Sequence, residues 1–246
     1  MYLYHGTSVP KAKEILKAGL TPRKYIPGSL GNWSHSVPSA LDRVYLTDAY
    51  APYFALCAAD DGEPWAIIEV RDFVPHAAHL GKLNEKKFVP DEDYLEQTMR
   101  FEGGLPHFSP GDYPDEVKDM RGRTEYFRDN ISDFQFLWKE SLNRLGTCAY
   151  MGTIPPELIH RVSVFDPSKN RTVAVACMDP SISLINYHLM RDKYVALTQW
   201  MIGEEITIED FFGKISLPTM SMLSNKQLGL VADAIHDRSA LTFLKE

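Results

Sequence analysis

Runs of strand-like and helix-like periodicity alternate along the first part of the chain, and a helical stretch closes it. Tyr2-Leu3-Tyr4-His5 reads as an opening strand. Ser8 has the side chain of a helix N-cap, and Pro10 suits a first turn, where its missing N–H costs nothing. Ala12, Ile15 and Leu16 then repeat at helical spacing until Gly19 stops the run. Residues 20–41 are rich in Pro, Gly, Ser and Asn and are expected as a surface loop. Residues 43–47 predict a second strand. Asp48 is placed to cap a helix over about 49–59, with Pro52 in its first turn. The run Trp65-Ala66-Ile67-Ile68-Glu69-Val70 is nearly all apolar, as an interior strand is.

Periodicity fades between about 74 and 130, where Gly, Pro, His and charge accumulate. Such a long irregular insert in a compact domain is often functional. Helical spacing returns over 132–145 through Phe134, Leu137, Trp138, Ser141 and Leu142. Strands follow at 147–151 and 159–165, separated by Ile154-Pro155-Pro156. A long helix is expected over 181–203 and a shorter one over 224–236. The fold class is therefore α+β. We place a first domain at 1–170, carrying the insert, and a helical C-terminal extension at 171–246. Leu184, Tyr187, Leu189, Tyr194, Leu197, Trp200 and Met201 give that extension an apolar side, expected to pack on the first domain.

Acidic side chains outnumber basic ones, 33 against 26, for a formal charge of -7. That disfavours a protein whose affinity comes from neutralising nucleic-acid backbones, although a nucleotide needs only one or two cations. Cys57, Cys148 and Cys177 are widely spaced and form no zinc or disulfide pattern; each is expected as a small buried hydrophobe. The histidines around His76, His79 and His107 lack metal-ligand spacing, so no metal is expected. No apolar run is long enough to span a bilayer, and the expected compartment is the cytoplasm.

His5-Gly6-Thr7, then Ala18-Gly19-Leu20-Thr21-Pro22, then Val44-Tyr45-Leu46-Thr47-Asp48 follow one another in strand and helix contexts. With Gly152-Thr153-Ile154-Pro155-Pro156-Glu157-Leu158-Ile159 near the late strand, this order resembles the ADP-ribosyltransferase superfamily of the poly-ADP-ribose-polymerase and diphtheria-toxin type. The late strand is similar to that of bacterial and phage-encoded members. The resemblance implies a split β-sheet core with NAD in its cleft. It also implies a His, a Tyr and usually a Glu on three strands around nicotinamide. His5 is then expected to bond a ribose hydroxyl, and Gly6 and Thr7 to offer backbone to the carboxamide, with no Gly6 side chain in the way. Tyr45 or Tyr53 offers a ring to the pyridinium. Arg23 is the first choice for the pyrophosphate, with Lys24 and Arg43 as alternatives.

The expected glutamate is missing: seven residues before the Ile of the Ile-Pro-Pro turn stands Thr147. Glu140, on the preceding helix, is the residue chosen to replace it as a catalytic group. The run Asp91-Glu92-Asp93, with Glu96, is the other acidic source. Asp91 there reads first as a helix cap, and Asp93 or Glu96 as groups the insert can lend to the pocket. Glu157 reads as a turn residue. The resulting expectation is a mono-ADP-ribosyltransferase that uses NAD as substrate and modifies a macromolecule, a protein before a nucleic acid. The rival readings are an NAD-dependent RNA 2'-phosphotransferase, an NAD glycohydrolase and a non-catalytic nucleotide-binding module.

Overall fold

The computed structural model describes residues 2–25, 40–71, 82–102, 126–127, 129–178, 187–213 and 220–245. Most of the expected loop at 20–41, the three insert histidines and Leu184 lie outside them. The described chain is α+β, built on one seven-stranded antiparallel sheet. Its strands are β1 (Tyr2–Ser8), β2 (Val44–Thr47), β3 (Trp65–Arg71), β4 (Phe88–Pro90), β5 (Thr147–Tyr150), β6 (Ile159–Phe165) and β7 (Leu241–Lys245), in the spatial order β4-β5-β2-β1-β3-β6-β7. The main helices are α1 (Val9–Ala18), α2 (Ala51–Ala58), α3 (Glu92–Glu102), α4 (Trp138–Leu145), α5 (Arg171–Ala176), α6 (Tyr187–Met201), α7 (Ile208–Phe212) and α8 (Asn225–His236).

β1 runs beyond the expected His5 to Ser8 because each of its residues finds a partner on β3, from Tyr2↔Arg71 to Ser8↔Trp65. α1 begins behind Ser8 with Pro10 in its first turn and stops at Gly19, whose φ of 82° is open to glycine. The start of α2 differs from the expectation: its N-cap position is Tyr50, and no side chain caps it. Thr47 Oγ1, not Asp48, accepts the Ala49 and Tyr50 N–H groups at 3.1 and 2.8 Å, while Asp48 binds Arg191 of α6 at 2.7 Å. The Thr47 hydroxyl thus fixes the turn between β2 and α2, ahead of the helix rather than on its first N–H groups.

β3 alternates between two cores. Trp65 and Ile67 pack with α2, α5 and α6, including Tyr50, Tyr194, Leu197, Trp200 and Met201. Ala66, Ile68 and Val70 pack on the opposite face with Leu3, Leu46, Trp138 and Tyr150. A third cluster lies under α3: Val89, Tyr94, Leu95, Phe127, Phe134 and Ala149. The expected burial of Tyr194, Leu197, Trp200 and Met201 is therefore met, whereas Leu189 is 41% exposed.

Two expectations need correction. The insert is not irregular throughout: 88–102 supply a strand and a helix, because Val89 and Pro90 pair against Ala149 and Cys148 of β5. The C-terminal extension is not wholly helical, because β7 joins the sheet beside β6. β4 and β7 are short strands at the two edges, where pairing with a neighbour rather than a long apolar run makes the strand. Cys57 is also exposed, while Cys148 and Cys177 are buried as expected. Among the described residues no helix is long and apolar enough to cross a membrane.

Candidate functional site

β1 is zipped to β3 along its whole length but faces β2 at a single position, Tyr4↔Thr47. Beyond it the two strands part, and polar side chains gather at the parting. His5 turns its Nδ1 to the Tyr45 carbonyl oxygen at 3.0 Å. A carbonyl only accepts, so Nδ1 carries the hydrogen and Nε2 of the neutral ring remains an acceptor. Burial holds the imidazole below its usual pKa. The bond to Tyr45 opposes this, and the nearby Arg23 guanidinium reinforces it.

Tyr45 presents its hydroxyl on the other side of the same strand. It donates to Glu92, 3.0 and 2.9 Å from the two carboxylate oxygens, and accepts the Ala40 N–H at 2.8 Å. Arg43 closes the group: Nη1 lies 3.1 Å from Glu92 Oε1, and Nε donates to Asp42 at 2.8 Å. The guanidinium and Glu92 are both nearly sealed, with side chains 2% and 6% exposed. Burial and the neighbouring Asp91 push the Glu92 carboxyl up to about 7, against the pull of Arg43 and Tyr45. Its proton is thus exchangeable near neutrality.

Glu92 is held there by the start of α3. Asp91 caps the helix as expected, accepting the Asp93 N–H on Oδ1 at 2.9 Å. Ser141 ties this corner to β5, accepting the Asp91 N–H at 3.0 Å and donating to the Thr147 carbonyl at 2.7 Å. The Thr147 hydroxyl lies beside the buried Asp91 carboxyl and lowers its pKa, which burial raises more strongly. The neutral Thr147 therefore has an insert carboxylate as its neighbour.

The remaining expected residues scatter around this center. Arg23 sits in a one-turn 3-10 helix, Arg23–Tyr25, close enough to feel both His5 and Tyr45. Lys24 beside it is exposed and donates its backbone N–H to Leu41. Thr7 is buried in the β1–β3 ladder. Gly6 is needed for a reason the sequence reading did not supply: a Cβ there would lie 2.3 Å from Ala51 O and Ala55 N of α2. The space beside Gly6 is filled by a helix backbone. Tyr53, on α2, packs on the core with Tyr4 and Phe54, its ring 5.6 Å from the Phe54 ring. Glu140 stays on α4, 3.5 Å from Arg144 and near Tyr94. Glu96 is buried on α3, and Glu157 is an exposed turn residue.

The structure thus brings His5, Arg23, Tyr45 and Arg43 together and adds Glu92, which the sequence reading passed over within its own acidic run. A signal was present. Asp91 as cap puts the following residue at the first position of a helix, next to whatever the cap touches. No family model matches the chain, and no curated protein matches it in sequence.

Proposed function

We propose that this chain is a mono-ADP-ribosyltransferase of the cytoplasm, cleaving NAD at the nicotinamide–ribose bond and passing ADP-ribose to a macromolecule, a protein first. The observation that carries the reading is the buried carboxylate of Glu92 on the Tyr45 hydroxyl. It stands beside β2 near the single-pair junction with β1, where the His5 ring is bonded to the same Tyr45. The order of the sequence motifs supports the same reading, and within the one seven-stranded sheet the single-pair junction of β1 and β2 gathers the residues it needs.

Each side chain has a role in this chemistry. When the glycosidic bond breaks, its electron pair leaves with nicotinamide and positive charge grows on the ribose ring. A fixed carboxylate stabilises that charge, as in glycosidases. Glu92 supplies it here in place of Glu140, whose charged neighbour is Arg144. Tyr45 aims Glu92 through its hydroxyl and keeps its ring for the pyridinium. His5 Nε2 accepts a ribose hydroxyl. Arg23 grips the pyrophosphate, a task suited to a guanidinium fork. Gly6 lets α2 press on β1 and Thr7 ties β1 to β3, so both hold the strand that carries His5, with Tyr53 supporting α2. The acceptor then attacks the ribose carbon and gives up its proton, which an ionised Glu92 can take.

The test is direct. Purified protein is incubated with labelled NAD and a cell lysate. Label on macromolecules is the expected result, lost in both His5→Ala and Tyr45→Ala with the fold intact by circular dichroism. Retention of full labelling in either variant overturns the reading. Free nicotinamide without labelled macromolecules would make the chain a glycohydrolase.

A further inference from the structure

A second polar cluster lies at the other end of β1, across the four neighbouring strands β1, β3, β6 and β7. Register brings it together: Tyr2 faces Arg71, Tyr4 faces Glu69, Glu69 faces Arg161, and Val162 faces Lys245. A β-bulge opposite Glu69 and Val70 makes His160 the extra residue of β6. Bulges re-aim side chains, and this one turns His160 to the side of Tyr2 and Arg71. The Tyr2 and His160 rings lie 6.0 Å apart and 23° from parallel, and the Arg71 guanidinium lies 5.4 Å from the Tyr2 ring center. Arg71 Nη2 donates to His160 Nε2.

The charges in this cluster do not cancel. Glu69 is buried, with Arg161 Nε and His160 Nε2 at 3.9 and 4.0 Å, and Glu204 stands nearby. Arg161 Nη1 is spent on the Ile202 carbonyl. Among the described residues Arg71 and Lys245 make no ion pair; Lys245 Nζ reaches only the Pro156 carbonyl, at 3.2 Å. Arg71 Nε is buried and has no hydrogen-bond partner among the described residues. A buried unmet donor on a cation is costly unless an acceptor comes to it. On a protein of charge -7, a cationic cluster of this kind is a local inversion.

We propose that this cluster is a binding site for a phosphate group, monoester or diester, on the β1–β3–β6–β7 end of the sheet. Arg71 offers the guanidinium hydrogens that His160 does not take, and a phosphate seated there draws in the buried, unmet Nε–H, completing the fork that grips two oxygens at once. Lys245 adds a point charge from the edge strand. Tyr2 and His160 brace the guanidinium, and Glu69 sets an upper limit on affinity by repulsion. The site is independent of the NAD chemistry above and stands or falls separately.

The test follows the Arg71 15Nε–1H resonance in the intact protein. Three titrants are compared: inorganic phosphate, a short single-stranded oligonucleotide, and the same oligonucleotide carrying a 5'-phosphate. A saturable shift of that resonance is expected at millimolar or lower concentration. Arg71→Gln should weaken binding by about tenfold or more, the usual size for one charged hydrogen-bonding partner. Lys245→Gln, on a half-exposed edge position, keeps the test alive if the first variant misfolds, and should weaken binding several-fold. Glu69→Gln should strengthen it, which a purely structural role for the cluster does not predict. Response to the unphosphorylated oligonucleotide assigns a diester. Response only to inorganic phosphate or the 5'-phosphate assigns a monoester. An unmoved Arg71 resonance, or binding indifferent to both Arg71→Gln and Lys245→Gln, overturns the proposal.

Discussion

Glu92 and Glu69 are both buried carboxylates, one against β2 and one within β3, yet the sheet treats them differently. Glu92 stands where β1 and β2 separate and is met at short range, by Tyr45 at 2.9 and 3.0 Å and Arg43 at 3.1 Å. Glu69 sits within the unbroken β1–β3–β6 ladder and has its cations at 3.9 Å and beyond, with Oε2 lacking a hydrogen bond. Burial raises the pKa of each. The difference lies in what the surroundings can adjust. A parted strand lets side chains from β2 and α3 close on a carboxylate, whereas a closed ladder fixes partners at the spacing of the register. The first arrangement suits the acid to the proposed chemistry, and the second leaves cations over for the proposed outside anion.

The largest expected effect separates the two acids by function. Glu92→Gln should lower ADP-ribose labelling by about a hundredfold or more, the scale for losing one fixed group that stabilises transition-state charge. Glu69→Gln should leave it within about threefold, since such a site lies outside the reacting groups. Equal losses in quantitative labelling would erase the contrast drawn here.

Next comes β1, which carries His5. Gly6→Ala must move α2, because the new methyl meets backbone rather than a flexible side chain. Overpacking of this kind costs about 1–3 kcal/mol, read as a lower urea midpoint. An unchanged midpoint would show that α2 does not press on β1 at this point.

The third expected effect is in pH. Glu92 has a folded pKa of about 7 against an ordinary 4.5, so the folded protein takes up a proton between those values. Its share of stability is therefore intact below about pH 4.5, falls as pH rises, and is fully lost above about 7. Glu92→Gln removes this loss. The variant's melting temperature should match the wild type near pH 5 and exceed it near pH 8. Asp91 lies beside Glu92 and helps raise its carboxyl, so its own slope eases in the variant in the same direction and adds to the difference between the two proteins. Wild-type transfer should rise through pH 7 as Glu92 ionises. A flat difference in melting temperature between the two pH values would remove the buried, proton-holding Glu92 from the account.

The smallest effect is expected at Glu140. With its carboxylate about a third exposed beside Arg144, Glu140→Gln should change labelling by less than about threefold and stability by only a few tenths of a kcal/mol. A loss as deep as that of Glu92→Gln would return the acid's role to α4.

Local pattern carried the elements that local pattern makes. β3 and β6 were readable because apolar or alternating runs of seven residues state their own faces. α1 was readable from Pro10 and Gly19, and α8 was expected over 224–236, where the structure adds the capping pair Ser224 and Gln227. His5, Tyr45, Arg23 and Arg43 were identifiable because motif order and strand context put them near one another. β4 and β7 were not, since three to five residues with an ordinary composition become strands only against β5 and β6. Glu92 followed β4 into obscurity: its place depends on a pairing between residues some 60 positions apart, Val89 with Ala149.

By itself, then, the order of residues determined the α+β class, most of the strand and helix positions, and the His and Tyr of the candidate site. Only the folded chain decided which acid joins them, why residue 6 has no side chain, and that Arg71, His160 and Lys245 share one end of the sheet. The physical reason is common to all three. Periodicity and capping act over a few neighbouring residues, whereas register, bulges and close approach of backbones are settled between segments far apart in the chain.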